Sequence, residues 1–308
     1  MKRTSIFLFI SLFIFNTLCF AQSNYPVKQL TFDRTQDGFP TWSPDGKYIV
    51  YSCISMEDPP LKTGLWRISL DDNNSEQIFN EIAEHPKWSP DGRFIVFDAD
   101  SGKDIKMISA EGGSPIDFLP DSIVIYNGGM PIWSPDGKEI AFLERSEYSI
   151  CIYNLETHNV KRIFQEDGMF PFPGSWSPDG KSIIIALMDR KTRKSTIWKI
   201  YTNGQNKEQI TGHHEGIYRH LALSPDGDLL IYAAMEEKHL GLWVMPAEGG
   251  KSLPLAITHP GHNESPAWSP DGKRLAFTST RTGSFDIWLM NIDGNQLKHD
   301  LQELNKME

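Results

Sequence analysis

A Ser-Pro-Asp-Gly segment, usually led by Trp and followed by a basic residue, recurs six times along this 308-residue chain. The copies stand at Trp42–Lys47, Trp88–Arg93, Trp133–Lys138, Trp176–Lys181, Leu223–Asp228 and Trp268–Lys273, with steps of 46, 45, 43, 47 and 45 residues. A period in the forties is too long for one hairpin and too short for a domain. It fits one four-stranded blade of a propeller. The spacing therefore predicts an all-β fold, a six-bladed β-propeller of four-stranded antiparallel blades, formed as a single domain by residues 22–308.

The local chemistry agrees. Ser suits the first position of a type I turn, Pro presets φ at the second, Asp tolerates the third, and Gly takes a left-handed fourth position. Such a turn joins two antiparallel strands. Short β-branched and aromatic runs follow each turn, such as Tyr48–Tyr51, Phe94–Phe97 and Leu229–Tyr232. They read as strands buried on both faces. Third strands are expected around Trp66, Met107, Cys151, Trp198, Trp243 and Trp288, and fourth strands at segments such as Ser75–Phe79, Val160–Phe164 and Lys207–Thr211. All nine tryptophans fall in repeat positions, five before Ser-Pro-Asp-Gly and four in third strands, so they are read as packing rather than as ligand platforms.

The ends bear on closure. Val27–Thr31 copies the fourth-strand pattern of Glu208–Thr211 yet precedes the first full unit. This N-terminal strand is expected to close the last blade by pairing with Phe285–Met290, which removes a free sheet edge. Gln296–Leu301 competes for the same place. No separate helical domain is expected.

Met1-Lys2-Arg3, an apolar run over Ile6–Phe15 and a small residue at Ala21 make residues 1–21 a secretory signal peptide. The protein is expected to be exported, periplasmic or extracellular, with no membrane span after cleavage, because the apolar run is shorter than a bilayer needs. A lipoprotein anchored through Cys19 ranks lower, since Leu18 is larger than lipoprotein processing accepts. Cys53 and Cys151 fall in non-neighbouring blades and are expected to stay unpaired and buried. Net charge is −10, or −12 once Lys2 and Arg3 are removed. That disfavours nucleic acid and any attraction of polyanions by the field of the whole chain. A monomer is expected.

Chemistry is expected where the loops entering each inner strand gather at one mouth of the central channel. Six of the nine histidines lie there: His85, His213, His214, His220, His259 and His262. His85 and His220 each precede the repeat Trp, or its Leu223 substitute, by three residues, so they should face each other from blades two and five. Glu84, Arg219 and Glu264 hold the preceding position. His85, Glu84, Arg219, His220, His262 and Glu264 are the candidate ligand-binding residues. Imidazole and carboxylate would suit an acidic sugar or a divalent metal, with His85, His220 and His262 as metal ligands and Arg219 as a fork for a carboxylate. No cofactor is expected otherwise, and no catalytic residue is assigned. The six turn aspartates are read as turn chemistry, not as a cation site. The fifth repeat departs most from the others, with Leu223 for Trp and Asp228 for Lys, which fits a modified surface for a partner enzyme and equally fits drift of the repeat.

These repeats, with Asp286-Ile-Trp-x-Met290, resemble the TolB-like, WD40-like propeller repeat (PD40), over about Tyr25 to Gly294. The resemblance implies the propeller fold and one of several activities, since envelope binding proteins, peptidase propeller domains and some polysaccharide lyases carry such repeats. No Gly-x-Ser-x-Gly elbow or hydrolase-sized segment is present. The expected function is therefore non-catalytic binding of a protein, peptide or glycan at the channel mouth. The alternative is a metal-assisted oligouronide lyase that uses mouth histidines.

Overall fold

In the computed structural model, the residues described are 25–32, 35–55, 62–123, 125, 128–211, 219–236, 239–255 and 261–306. They form six four-stranded antiparallel sheets. In blade one the strands run outward from the channel as Thr35–Trp42, Tyr48–Ser55, Gly64–Ser69 and Ser75–Phe79. The same meander repeats through blade five, which ends at Leu253–Pro254. The signal-peptide segment lies outside the described residues, and among the described residues no helix is long and apolar enough to cross a membrane.

Each Ser-Pro-Asp-Gly turn is held by the same set of hydrogen bonds. In blade one the Ser43 hydroxyl donates to Asp45 Oδ1 at 2.6 Å and accepts the Tyr48 amide at 2.9 Å, while Asp45 Oδ1 also accepts the Lys47 amide at 3.1 Å. The Gly46 amide returns to the Ser43 carbonyl at φ +70°, which explains the glycine. A Cβ added to Gly46 would lie 3.9 Å from the Pro270 ring of blade six, so the turns also touch around the ring.

The hydroxyl bonds from Ser43, Ser89, Ser134, Ser177 and Ser269 hold the carboxyls of Asp45, Asp91, Asp136, Asp179 and Asp271 below the usual carboxylate range, to about 2 for Asp91. At Asp226 burial works the other way but is outweighed by Lys298 and Ser224, again giving about 2. A depressed carboxyl stabilises the fold above its unfolded value of roughly 4, and that stability is lost as pH falls through the folded value. Melting temperature should therefore drop steeply between pH 4 and 2. Asp91→Asn should melt lower at pH 7 but lose less on acidification, as thermal unfolding across that range would measure. An equal acid slope in the variant would refute this account of the turns.

The tryptophans depart from simple burial. Only Trp42, Trp176 and Trp288 are buried, and the other six are half-buried. Four of the five indoles of the repeat motif donate to the preceding inner strand: Trp42 to the Ala267 carbonyl (2.9 Å), Trp133 to Lys87 (3.1 Å), Trp176 to Ile132 (3.3 Å) and Trp268 to Ala222 (3.2 Å), while the Trp88 ring nitrogen is buried with no such partner. Blade five lacks this indole. There the Ser175 hydroxyl of blade four donates to the Leu221 carbonyl and accepts the Leu223 amide, at 3.3 and 3.2 Å. The apolar core comes mainly from second and third strands, with Phe97, Phe142 and Phe277 fully buried.

Closure uses the N-terminal strand. Val27–Gln29 pairs antiparallel with Asp286–Asn291, Val27 facing Met290 and Gln29 facing Trp288. The Leu30 amide continues the ladder to the Ile287 carbonyl, and the Thr31 hydroxyl accepts the Ile287 amide at 3.0 Å.

The competing segment Gln296–Leu301 is not a strand. It lies in an α-helix, Gly294–Lys306. Asp293 caps it by accepting the Asn295 and Gln296 amides. Leu297 and Leu301, one turn apart and 3% and 1% exposed, pack with Leu229, Leu255 and Ile292. Lys298 reaches both Asp226 and Asp228 at 2.6 Å. The departure at Asp228 thus has a partner inside the chain. Cys53 and Cys151 are unpaired and buried, and burial pushes the Cys53 thiol up to about 12.

Candidate functional site

The inner strands carry a second repeated device. The residue three before the motif's leading residue is left-handed in five blades, with φ of 53° at Phe39, 50° at His85, 50° at Met130, 51° at His220 and 52° at Ser265. The fourth blade has Pro173 there, whose ring forbids positive φ, and its register shifts across Gly174 instead. Left-handed backbone costs a non-glycine residue about 1 kcal/mol or more. In blades one, two, five and six the strand pairing shifts register there, which makes these positions β-bulges. Bulges re-aim side chains. Here they turn Phe39, His85, Met130, His220 and Ser265 into one bore on the channel axis. The free space between them is about 50 Å³.

His85 and His220 therefore line the same bore. Phe39 contacts both rings, at centroid distances of 4.1 Å to His85 and 5.6 Å, edge-on, to His220. Their hydrogen bonds give them opposite tautomers when neutral. His85 Nδ1 lies 2.8 Å from Asp98 Oδ2. Asp98 is 1% exposed and also accepts the Gly129 amide at 2.8 Å and the Met130 amide at 3.2 Å. A carboxylate so placed requires Nδ1 to donate, which leaves Nε2 with the lone pair. His220 Nδ1 instead accepts the Ser265 backbone amide at 3.2 Å, so its Nε2 carries the hydrogen. Gly128 makes room for the first arrangement, since a Cβ there would sit 2.9 Å from Asp98 Oδ2.

The other candidates are dispersed. Glu264 is half-buried, its carboxylate 3.8 Å from His220 Nδ1. Glu84 is half-buried beside His85 on the inner strand of blade two. His262 does not line the bore; its Nδ1 accepts the Leu240 amide at 3.2 Å. The side chain of Arg219 and residues His213, His214 and His259 lie outside the described residues. Among the described residues no three His, Cys, Asp or Glu side chains are grouped to hold a metal ion. Of the three histidines, His85 and His220 share the bore and His262 stands apart from it, so the three are not brought together around one point.

Sequence reasoning missed Asp98 and Lys87. Asp98 has a visible signal, a lone carboxylate inside Phe94–Ala99 where the same repeat position elsewhere holds Ser52, Leu143, Ala186, Ala233 and Thr278. Lys87 lines the bore two residues beyond His85, and burial pushes its ammonium down to about 8.

The fold is that of a six-bladed β-propeller. No family model matches the chain. An uncharacterized protein of Agrobacterium fabrum is 27% identical over 207 residues, covering 64% of this chain; the match spans 65% of that relative's length, just under two thirds. Among solved structures, oligogalacturonate lyase from Vibrio parahaemolyticus superposes with a TM-score of 0.63 at 12% identity, covering 89% of this chain and 96% of that one. A candidate TolB from Agrobacterium tumefaciens gives 0.61 at 21% identity, covering 87% and 97%. At these identities the likeness is one of fold.

Proposed function

We propose that this chain is an exported, non-catalytic propeller that binds a segment of a protein, peptide or glycan at the mouth of its channel. The observation that carries this reading is the ring of left-handed residues, which gathers an aromatic, two imidazoles and a thioether around one point. Backbone strain repeated at one site is a reason to look for function there. A rigid concave site with an aromatic anchor suits recognition. The N-terminal signal pattern supports export.

The reading is tested by capture from an envelope extract on the immobilised protein, comparing wild type with Phe39→Ala and His220→Ala. Loss of an aromatic anchor should weaken the captured complex by about 2 kcal/mol, roughly 30-fold, without lowering Tm by more than a few degrees. Unchanged capture by both variants would sink it.

One observation favours the lyase alternative. The Asp98–His85 pair leaves a basic Nε2 in the bore, the arrangement of an oriented general base. On that reading an oligouronide would be cleaved with release of an unsaturated product, and His85→Ala would abolish the release. Turnover by wild type would count against the binding-only reading.

A further inference from the structure

We propose that the bore is a carboxylate-binding site in which Lys87 receives the charge, and that what enters it is a carboxylate on a slim chain end. This rests on the mouth-binding reading above and gives it a ligand chemistry.

The side-chain ammonium of Lys87, a half-buried residue that lines the bore, makes no hydrogen bond or ion pair among the described residues. Among the described residues the bore is lined by apolar groups that include Met130, Ile132 and Leu221, and by no acidic side chain. An ammonium among apolar walls is costly unless an anion joins it. The charge is out of character with the rest of the chain, whose net charge is −10. It is also built only once, since the same repeat position holds Thr41, Ile132, Ser175, Ala222 and Ala267 in the other blades.

Size selects the carrier. A cavity of about 50 Å³ holds roughly three to five water-sized groups, enough for a carboxylate and the carbon bearing it. A pyranose ring does not fit. A peptide C-terminus and a free short-chain acid share the required chemistry.

The test uses the whole folded protein with lysine side chains observed by NMR. Sodium acetate, titrated at constant ionic strength, should shift the Lys87 resonance saturably and raise its pKa from about 8, while acetamide leaves both unchanged. Lys87→Met should lose at least tenfold in affinity for the acetate, and Lys87→Arg should retain it. Equal effects of acetate and acetamide, no saturable shift, or undiminished affinity in Lys87→Met would overturn the proposal. Because the wild-type titration needs no variant, misfolding of Lys87→Met leaves the test intact. Tetra-alanine with a free C-terminus binding tenfold more tightly than acetate, and its amide not binding, would assign a peptide end. Equal binding of tetra-alanine and acetate would assign a free short acid. Galacturonate binding as well as acetate would overturn the slim-chain assignment. If acetate fails while Phe39→Ala still loses its captured partner, the carboxylate site falls and the binding reading stands.

Discussion

Asp98→Ala should cost about 3–5 kcal/mol of stability, the penalty for stripping a buried charge from its partners, and lower Tm by roughly 6–15 °C. Three donors lose their acceptor at once: the Gly129 and Met130 amides and His85 Nδ1. Two of these are backbone groups that water cannot easily reach, so the loss is that of unsatisfied buried donors rather than of one surface bond. Asp98→Asn should cost less. Its carbonyl oxygen can keep the two amides, while its amide nitrogen would face His85 and force that ring to the other tautomer, leaving Nε2 protonated. Thermal melts of both variants, with nitrogen NMR of His85, would check this. A loss below 1 kcal/mol in Asp98→Ala would show that Asp98 neither orients His85 nor holds the loop beside it.

Deleting residues 25–31 should be at least as severe. Leu30 is 5% exposed, and truncating a buried Leu costs about 2–5 kcal/mol. The deletion also removes the ladder onto Asp286–Asn291 and the Thr31 hydroxyl that the Ile287 amide needs. At about 1 kcal/mol for each of several hydrogen bonds, the total should exceed about 5 kcal/mol. It would also uncover the outer edge of blade six, a template for pairing with other chains. The expected result is a deletion protein that elutes as aggregates, where the full chain elutes as a discrete species. A deletion protein that stays discrete and melts within a few degrees of wild type would mean that the terminal strand is an ornament rather than the clasp.

Much of the scaffold was legible from spacing. The repeat period, the turn chemistry and the fourth-strand pattern of Val27–Thr31 each name a local interaction that survives in the structure. Gln296–Leu301 stands in the sequence only as a competitor for the closing strand, because so short a segment fits both a strand and a helix. Leu297 and Leu301 become a helical face only because the underside of blade five offers Leu229 and Leu255 to cover them. The tryptophans were correctly placed as repeat elements, but the role of Trp42, Trp133, Trp176 and Trp268 as hydrogen-bonded links between neighbouring blades was not visible. That role depends on which carbonyl a neighbouring blade presents.

The bore shows the same division. His85 and His220 could be paired by counting three residues back from each motif. Phe39 between them, Asp98 behind one and the Ser265 amide beside the other could not, because these contacts join residues from different blades. A linear sequence specifies interactions over a few residues: turn hydrogen bonds, strand alternation, glycine where φ must be positive. It thereby determined the blade and the number of blades, and left two candidates for the strand that completes the ring. Ring closure alone decided what shares the axis, because six inner strands converge there from positions more than forty residues apart. The bulges that aim Phe39, His85 and His220 inward, the opposite tautomers of the two imidazoles and the solitary charge of Lys87 therefore belong to the tertiary structure.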